Sequence, residues 1–141
     1  MSCAGIKHFK YILVAATISL TLLSGCEKDM QHPVPNVLVN FRINLEITYE
    51  LNTIGGWVYF TGGYRGIVIY RLSEDEFRAF DRACTYNVYN RIVVDDPPIA
   101  RCEECESTYL LIDGSVVEGP ARYPLKQYQT TYIPPYVYVS N

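Results

Sequence analysis

The chain has 141 residues, 49% of them hydrophobic and 19% charged, with a net charge of −3, 13 tyrosines, five cysteines and two histidines. This length and apolar content suit one domain with an ordinary core and exclude a disordered chain. The acidic balance gives no reason to expect a nucleic-acid partner. His8 and His32 are the only imidazoles, so little catalytic chemistry based on histidine is available.

Residues 1–10 carry Lys7, His8 and Lys10 and no acid, and Tyr11 to Leu23 is uncharged and mostly apolar. This basic region, short apolar run and small-residue ending predict an export signal over 1–25. The apolar run is too short for a bilayer span, which takes about 20 residues. Leu23-Ser24-Gly25-Cys26 resembles the lipobox of bacterial lipoproteins. That resemblance implies cleavage before Cys26, acylation of Cys26 and localisation in the bacterial cell envelope, with the membrane as a partner. Stable anchoring then needs no transmembrane helix, because two or more acyl chains suffice. After cleavage all 15 acids and ten of the 12 bases remain, a net charge of −5. Residues 26–36, with EKDMQHPVPN after the cysteine, read as a polar tether that leads into a domain over 37–141.

From Val37 to Tyr49 every odd position is apolar, and this period of two predicts one long, half-buried strand. Trp57–Phe60 and Gly66–Arg71 flank Thr61-Gly62-Gly63-Tyr64-Arg65, a hairpin with a glycine turn. Ser73-Glu74-Asp75-Glu76 has the form of a capping box and predicts one short helical turn. Arg78 to Asp81 returns to strand. Val93 to Ala100, with Asp95-Asp96-Pro97-Pro98, reads as a turn-rich excursion. Thr108–Ile112 and Ser115–Val117 enclose Asp113-Gly114, a strong hairpin signal, and Tyr136–Val139 forms a last strand. No long segment has helical periodicity, so the fold class is all-β. The 12 tyrosines that follow Tyr11 suit half-buried strand positions, with an aromatic platform for a glycan as the functional alternative.

The cysteines carry the most specific chemistry. Cys84-Thr85-Tyr86 and Cys102-Glu103-Glu104-Cys105 follow the spacing C-x-Y-x15-C-x2-C. Gly66–Arg71 and Phe77–Cys84 lead into the first box, and Tyr109–Gly114 and Gly119-Pro-Ala-Arg-Tyr-Pro-Leu125 follow the second. With these segments the chain resembles the Rieske iron–sulfur family over about residues 55–141. The resemblance implies a stack of small antiparallel sheets with a ligand subdomain made of two loops. It places Cys84 and Cys102 at the two cysteine ligands, and Tyr86 and Cys105 where that family has histidines. Neutral imidazoles raise the potential of a Rieske cluster, and anionic ligands in their place would lower it. A standard Rieske centre is therefore excluded.

The remaining readings are a cluster-free module, an altered 2Fe-2S site on Cys84, Tyr86, Cys102 and Cys105, or zinc or thiol redox chemistry. The signal has no twin arginine and so resembles the kind that moves unfolded chains, which disfavours a preloaded cluster. Cysteines in an oxidising envelope more often pair, and Cys84, Cys102 and Cys105 are the disulfide candidates. Glu103, Glu104 and Glu106 read as a solvated loop face, and their charge should raise the pKa of a neighbouring thiol. No Ser/His/Asp set or phosphate-cradling glycine loop is present, so the expectation is not an enzyme. The reading is a lipid-anchored binding or structural module without a cofactor, with an unknown protein or glycan partner. The alternative is an electron carrier with a non-standard 2Fe-2S cluster.

Overall fold

A computed structural model describes residues 31–141 of the protein. The predicted signal peptide and Cys26 lie outside the described residues. Among the described residues, ten strands form two antiparallel sheets, and the fold is all-β. No helix among them is long and apolar enough to cross a membrane.

The larger sheet has the order β1-β10-β9-β4-β3-β2, comprising β1 (Asn40–Asn44), β10 (Tyr136–Ser140), β9 (Gln127–Ile133), β4 (Phe77–Asp81), β3 (Ile67–Arg71) and β2 (Trp57–Phe60). The smaller has the order β5-β6-β7-β8, comprising β5 (Ile92–Asp96), β6 (Ile99–Cys102), β7 (Thr108–Leu110) and β8 (Val116–Glu118). Two small antiparallel sheets with a two-loop subdomain are the architecture that the Rieske resemblance implies.

Strand β3 is the wall between two cores, which explains its unbroken apolar run. Ile67 and Ile69 face a core with Val39, Ile43, Phe77 and Val137, whereas Val68 and Tyr70 face one with Phe80, Ile92, Tyr109 and Leu125. A strand covered on both faces loses the alternation of a half-exposed one. Cys84 and Cys102 belong to the second core and are fully buried.

The long strand expected over Val37–Tyr49 is shorter in the structure. Only Asn40–Asn44 pairs, against Tyr136–Ser140. The chain then turns at Leu45–Ile47 and makes a 3-10 turn at Tyr49–Leu51. Val39, Ile43 and Leu45 are buried as the period predicts, but Ile47 and Tyr49 are 73% exposed. Their apolar character continues the pattern after the partner strand has ended.

The expected helical turn at Ser73–Glu76 is a tight strand connection instead. Leu72 N and Ser73 N both donate to Glu76 O. The Arg71 guanidinium donates to the carbonyls of Leu51, Ser73 and Glu74, so the carbonyls that a helix would use are directed to it. The excursion over Val93–Ala100 is the β5–β6 hairpin, paired from Ile92↔Cys102 to Val94↔Ala100.

Part of the segment expected to be tether lies against the domain. Val34 is 2% exposed, the His32 ring hydrogen-bonds Pro124 O through Nε2, and Lys126 Nζ donates to Pro35 O and Asn36 Oδ1. The compact unit begins at His32.

Candidate thiol centre

Strand β4 ends in a buried acid that fixes the first loop. Asp81 accepts hydrogen bonds from the backbone amides of Tyr64, Arg65 and Ala83 and from the Tyr128 hydroxyl. A carboxylate this well supplied with donors is stable in a dry site. It joins the Gly62–Gly66 turn to the residue that precedes Cys84. The loop then closes on itself, with Cys84 N donating to Asn90 O and Ile92 N to Arg82 O.

The second loop joins β6 to β7. Cys102 N donates to Ser107 O, and Glu106 N to Cys102 O, with Glu106 in the left-handed region at φ 57°. Glu103, Glu104 and Glu106 are exposed, as expected for a solvated face. A third segment, Gly119–Leu125, ties the loops together. Ala121 N donates to the buried Ser107 Oγ, and Thr85 Oγ1 donates to Tyr123 O. Gly119 has φ +102° and packs on Ser107, where a Cβ would collide with the Ser107 backbone.

These loops converge on three thiols. The sulfurs of Cys84, Cys102 and Cys105 all lie within 4.8 Å of one another, and all three cysteines are unpaired. Cys84 Sγ stands 3.4 Å from Cys105 Sγ, and Cys105 also donates to Ser107 Oγ at 3.2 Å. Cys105 is the only partly exposed member.

Tyr86, placed by the resemblance at a ligand position, is 61% exposed and lines an open pocket with Thr85 and Gly119–Tyr123. The phenol beside the sulfurs is that of Tyr109, a residue that the ligand-box pattern does not identify. Tyr109 is fully buried on β7, with its hydroxyl 3.4 Å from Cys84 Sγ and 3.1 Å from Thr85 Oγ1, and it accepts the Thr85 amide at 3.1 Å. Its signal in the sequence is only an aromatic in a strand seven residues after Cys102.

Local polarity separates the thiols. Burial works to raise the Cys84 pKa. The Tyr109 hydroxyl, the amides of Asn87 and Tyr86 and the Cys102 thiol outweigh it, so that pKa lies below the ordinary thiol value. Cys102 is pushed up to about 12, first by burial and further by the neighbouring Cys84 and Cys105 thiols, against the amides of Cys105 and Glu104. Burial and the bond to Cys84 also raise the Tyr109 phenol. The trio therefore offers one activated thiol, Cys84, and one reachable from solvent, Cys105.

The sulfurs are close enough to hold a metal ion. A tetrahedral ion with Zn–S bonds of about 2.3 Å sets its sulfurs about 3.8 Å apart, close to the spacing of this trio. A 2Fe-2S cluster in the implied ligand pattern fits poorly. In that pattern Cys84 and Cys105 would be ligands of different irons, yet their sulfurs stand 3.4 Å apart. The fourth ligand would be the exposed Tyr86.

No protein-family model matches the chain, and no curated protein matches it. Among solved structures, the chain is similar to the crystal structure of a proposed NADH-dependent nitrite reductase small subunit from Mycobacterium tuberculosis, with a TM-score of 0.48 and 14% identity. The match covers 75% of this chain and 97% of that one.

Proposed function

We propose that the protein is a lipid-anchored cell-envelope module without a cluster, whose two ligand-type loops are clamped by a Cys84–Cys105 disulfide. The observation that carries this reading is the 3.4 Å approach of the two sulfurs from opposite loops. Bond formation would shorten that approach to the disulfide distance of about 2.05 Å. Closure follows thiol–disulfide exchange. Cys105, the accessible thiol, attacks a disulfide oxidant of the envelope and displaces one of its thiols. Cys84 then attacks Cys105 Sγ and releases the second thiol, so the oxidant gains the two electrons and two protons that the dithiol loses. The two residues are 21 positions apart, and a closed loop of that size contributes about 3 kcal/mol. Cys102, buried and with its pKa raised, stays a thiol. The clamped domain serves as a binding or structural unit, carried on the membrane by Cys26.

A second reading rests on a different observation, the mutual approach of all three sulfurs. In it, the reduced trio binds one thiophilic ion through Cys84, Cys102 and Cys105.

One purification decides between them. The full chain is expressed with its leader, isolated from the envelope, alkylated after unfolding, and analysed for peptides, metal and sulfide. The clamp predicts a Cys84–Cys105 cross-link, one alkylated thiol at Cys102, and no stoichiometric metal. Three alkylated thiols with one zinc or copper per chain would replace it with the second reading. Stoichiometric iron and sulfide would sink both. Acyl label on the wild type and none on Cys26→Ser is the expected result for the anchor.

A further inference from the structure

On the face formed by the Thr61–Gly66 turn and the start of β5, three arginines gather without a carboxylate partner. Arg65, Arg82 and Arg91 line one groove of about 420 Å³, together with Tyr59, Tyr64 and the glycines of the turn. No acid lines this groove. Glu103 and Glu104 line the adjoining groove with the same arginines, but neither forms an ion pair with them among the described residues. Asp81 lies under the turn and is already saturated by three amides and the Tyr128 hydroxyl. Three arginines without an ion pair among the described residues are therefore concentrated in one depression, with Glu103 and Glu104 on the adjoining one.

Two of the guanidinium groups are also held in place. Arg82 stacks 3.5 Å above the Tyr59 ring and donates to Ile92 O through Nε and Nη2. Arg65 donates to Val88 O through Nε and lies 5.6 Å from the Tyr64 ring and 5.7 Å from the Tyr89 ring. Their remaining N–H groups have no acceptor among the described residues, and Arg91 makes no side-chain hydrogen bond there. Stacked, tethered arginines lose little side-chain freedom when they bind a ligand. Burial and the charge of Arg91 both lower the Arg82 pKa, despite the opposing effect of Tyr59. The cluster thus carries repulsion that a bound anion would relieve. The Tyr64 and Arg65 amides are committed to Asp81, so recognition falls to the guanidinium forks. Such forks match the oxygens of a phosphate group, and three positive charges favour a dianion over a single carboxylate.

We propose that Arg65, Arg82 and Arg91 form a binding site for a phosphate-type dianion, either a soluble phosphate ester or the phosphate of a lipid headgroup. The site is separate from the thiol trio.

The test uses residues 26–141 with Cys26→Ser, and inorganic phosphate as the probe in a calorimetric or NMR titration. Wild type should bind saturably at one site. Arg65→Gln/Arg91→Gln should weaken binding at least about tenfold, the loss expected for hydrogen bonds to charged groups. Arg91 is exposed and Arg65 half-buried, and an unchanged unfolding midpoint establishes that the variant is folded. Arg122→Gln, in the pocket beside Tyr86, should leave binding unchanged. No saturable binding by wild type, or equal weakening by Arg122→Gln, overturns the proposal. Vesicles of phosphatidic acid in phosphatidylcholine separate the sources. Cosedimentation displaced by free phosphate supports a lipid headgroup as ligand. Phosphate binding without cosedimentation supports a soluble ester.

Discussion

The Tyr128 hydroxyl on β9 donates a 2.8 Å hydrogen bond to Asp81 Oδ2 at the end of β4, and both residues are buried. The same carboxylate holds the glycine turn on one side and the amide preceding Cys84 on the other. One buried acid therefore couples the larger sheet, the face with the unpaired arginines and the loop that carries the thiol.

Tyr128→Phe should destabilise the domain at neutral pH by about 1–3 kcal/mol, because Asp81 loses one donor in a dry site. Burial, then the bond to Asp81 and its negative charge, raise the Tyr128 pKa. Stability from such a group is complete below the ordinary phenol value of about 10 and is lost as pH rises from there through the folded pKa, by about 1.4 kcal/mol per unit. Denaturant unfolding should show the gap between wild type and Tyr128→Phe shrinking above about pH 10. A constant gap would mean that the hydroxyl is not protonated and bonded as described.

Gly63→Ala tests the turn above the same acid. Gly63 has φ +60°, and a Cβ there would overlap the Asp81 carboxylate and the Tyr128 hydroxyl. The expected cost is at least about 1–3 kcal/mol from backbone strain, with the displaced hydrogen bonds in addition. Thermal unfolding checks it, and an unchanged midpoint would contradict the packing at the turn.

Periodicity and turn chemistry made the sheet content legible. The hairpins around Gly62-Gly63 and Asp113-Gly114 lie where their glycines predict, at positive φ. Strand β9 was not legible, because Gln127, Gln129 and Thr131 dilute the apolar signal of Tyr128 and Tyr132. Strands β5 and β6 were obscured by Asp95-Asp96-Pro97-Pro98 at their junction. The convergence of Cys84, Cys102 and Cys105 followed from box spacing through the Rieske resemblance. The place of Tyr109 beside Cys84 did not, because it depends on how β7 packs under the first loop.

Tyr109→Phe should have two separable effects. The buried Thr85 amide loses its acceptor, which costs about 1–3 kcal/mol. Cys84 also loses a donor that favours its thiolate, so its pKa should rise. In protein that carries glutathione on Cys105, the attack of Cys84 that releases the glutathione, followed by mass spectrometry, should then turn on at a higher pH than in wild type. Loss of stability with no change in that pH profile would show that the phenol supports Thr85 alone.

The segment before β1 gives the last test. Val34 is almost fully buried, the Val34 amide donates to His32 Nδ1, and His32 Nε2 hydrogen-bonds Pro124 O on the segment that closes the thiol loops. Nδ1 accepts that amide, so the tautomer that serves both bonds places the Nε2 proton toward the carbonyl. Asn141 completes the strap by donating to Asn36 Oδ1 and Val37 O. Val34→Ala should therefore cost about 1–3 kcal/mol, as a buried large-to-small change does. A chain beginning at Val37 should unfold at lower denaturant than one beginning at Gln31, because it lacks Val34 and the partners of Lys126. Equal midpoints for those two chains would mean that residues 32–36 contribute nothing to the fold and act only as a leash.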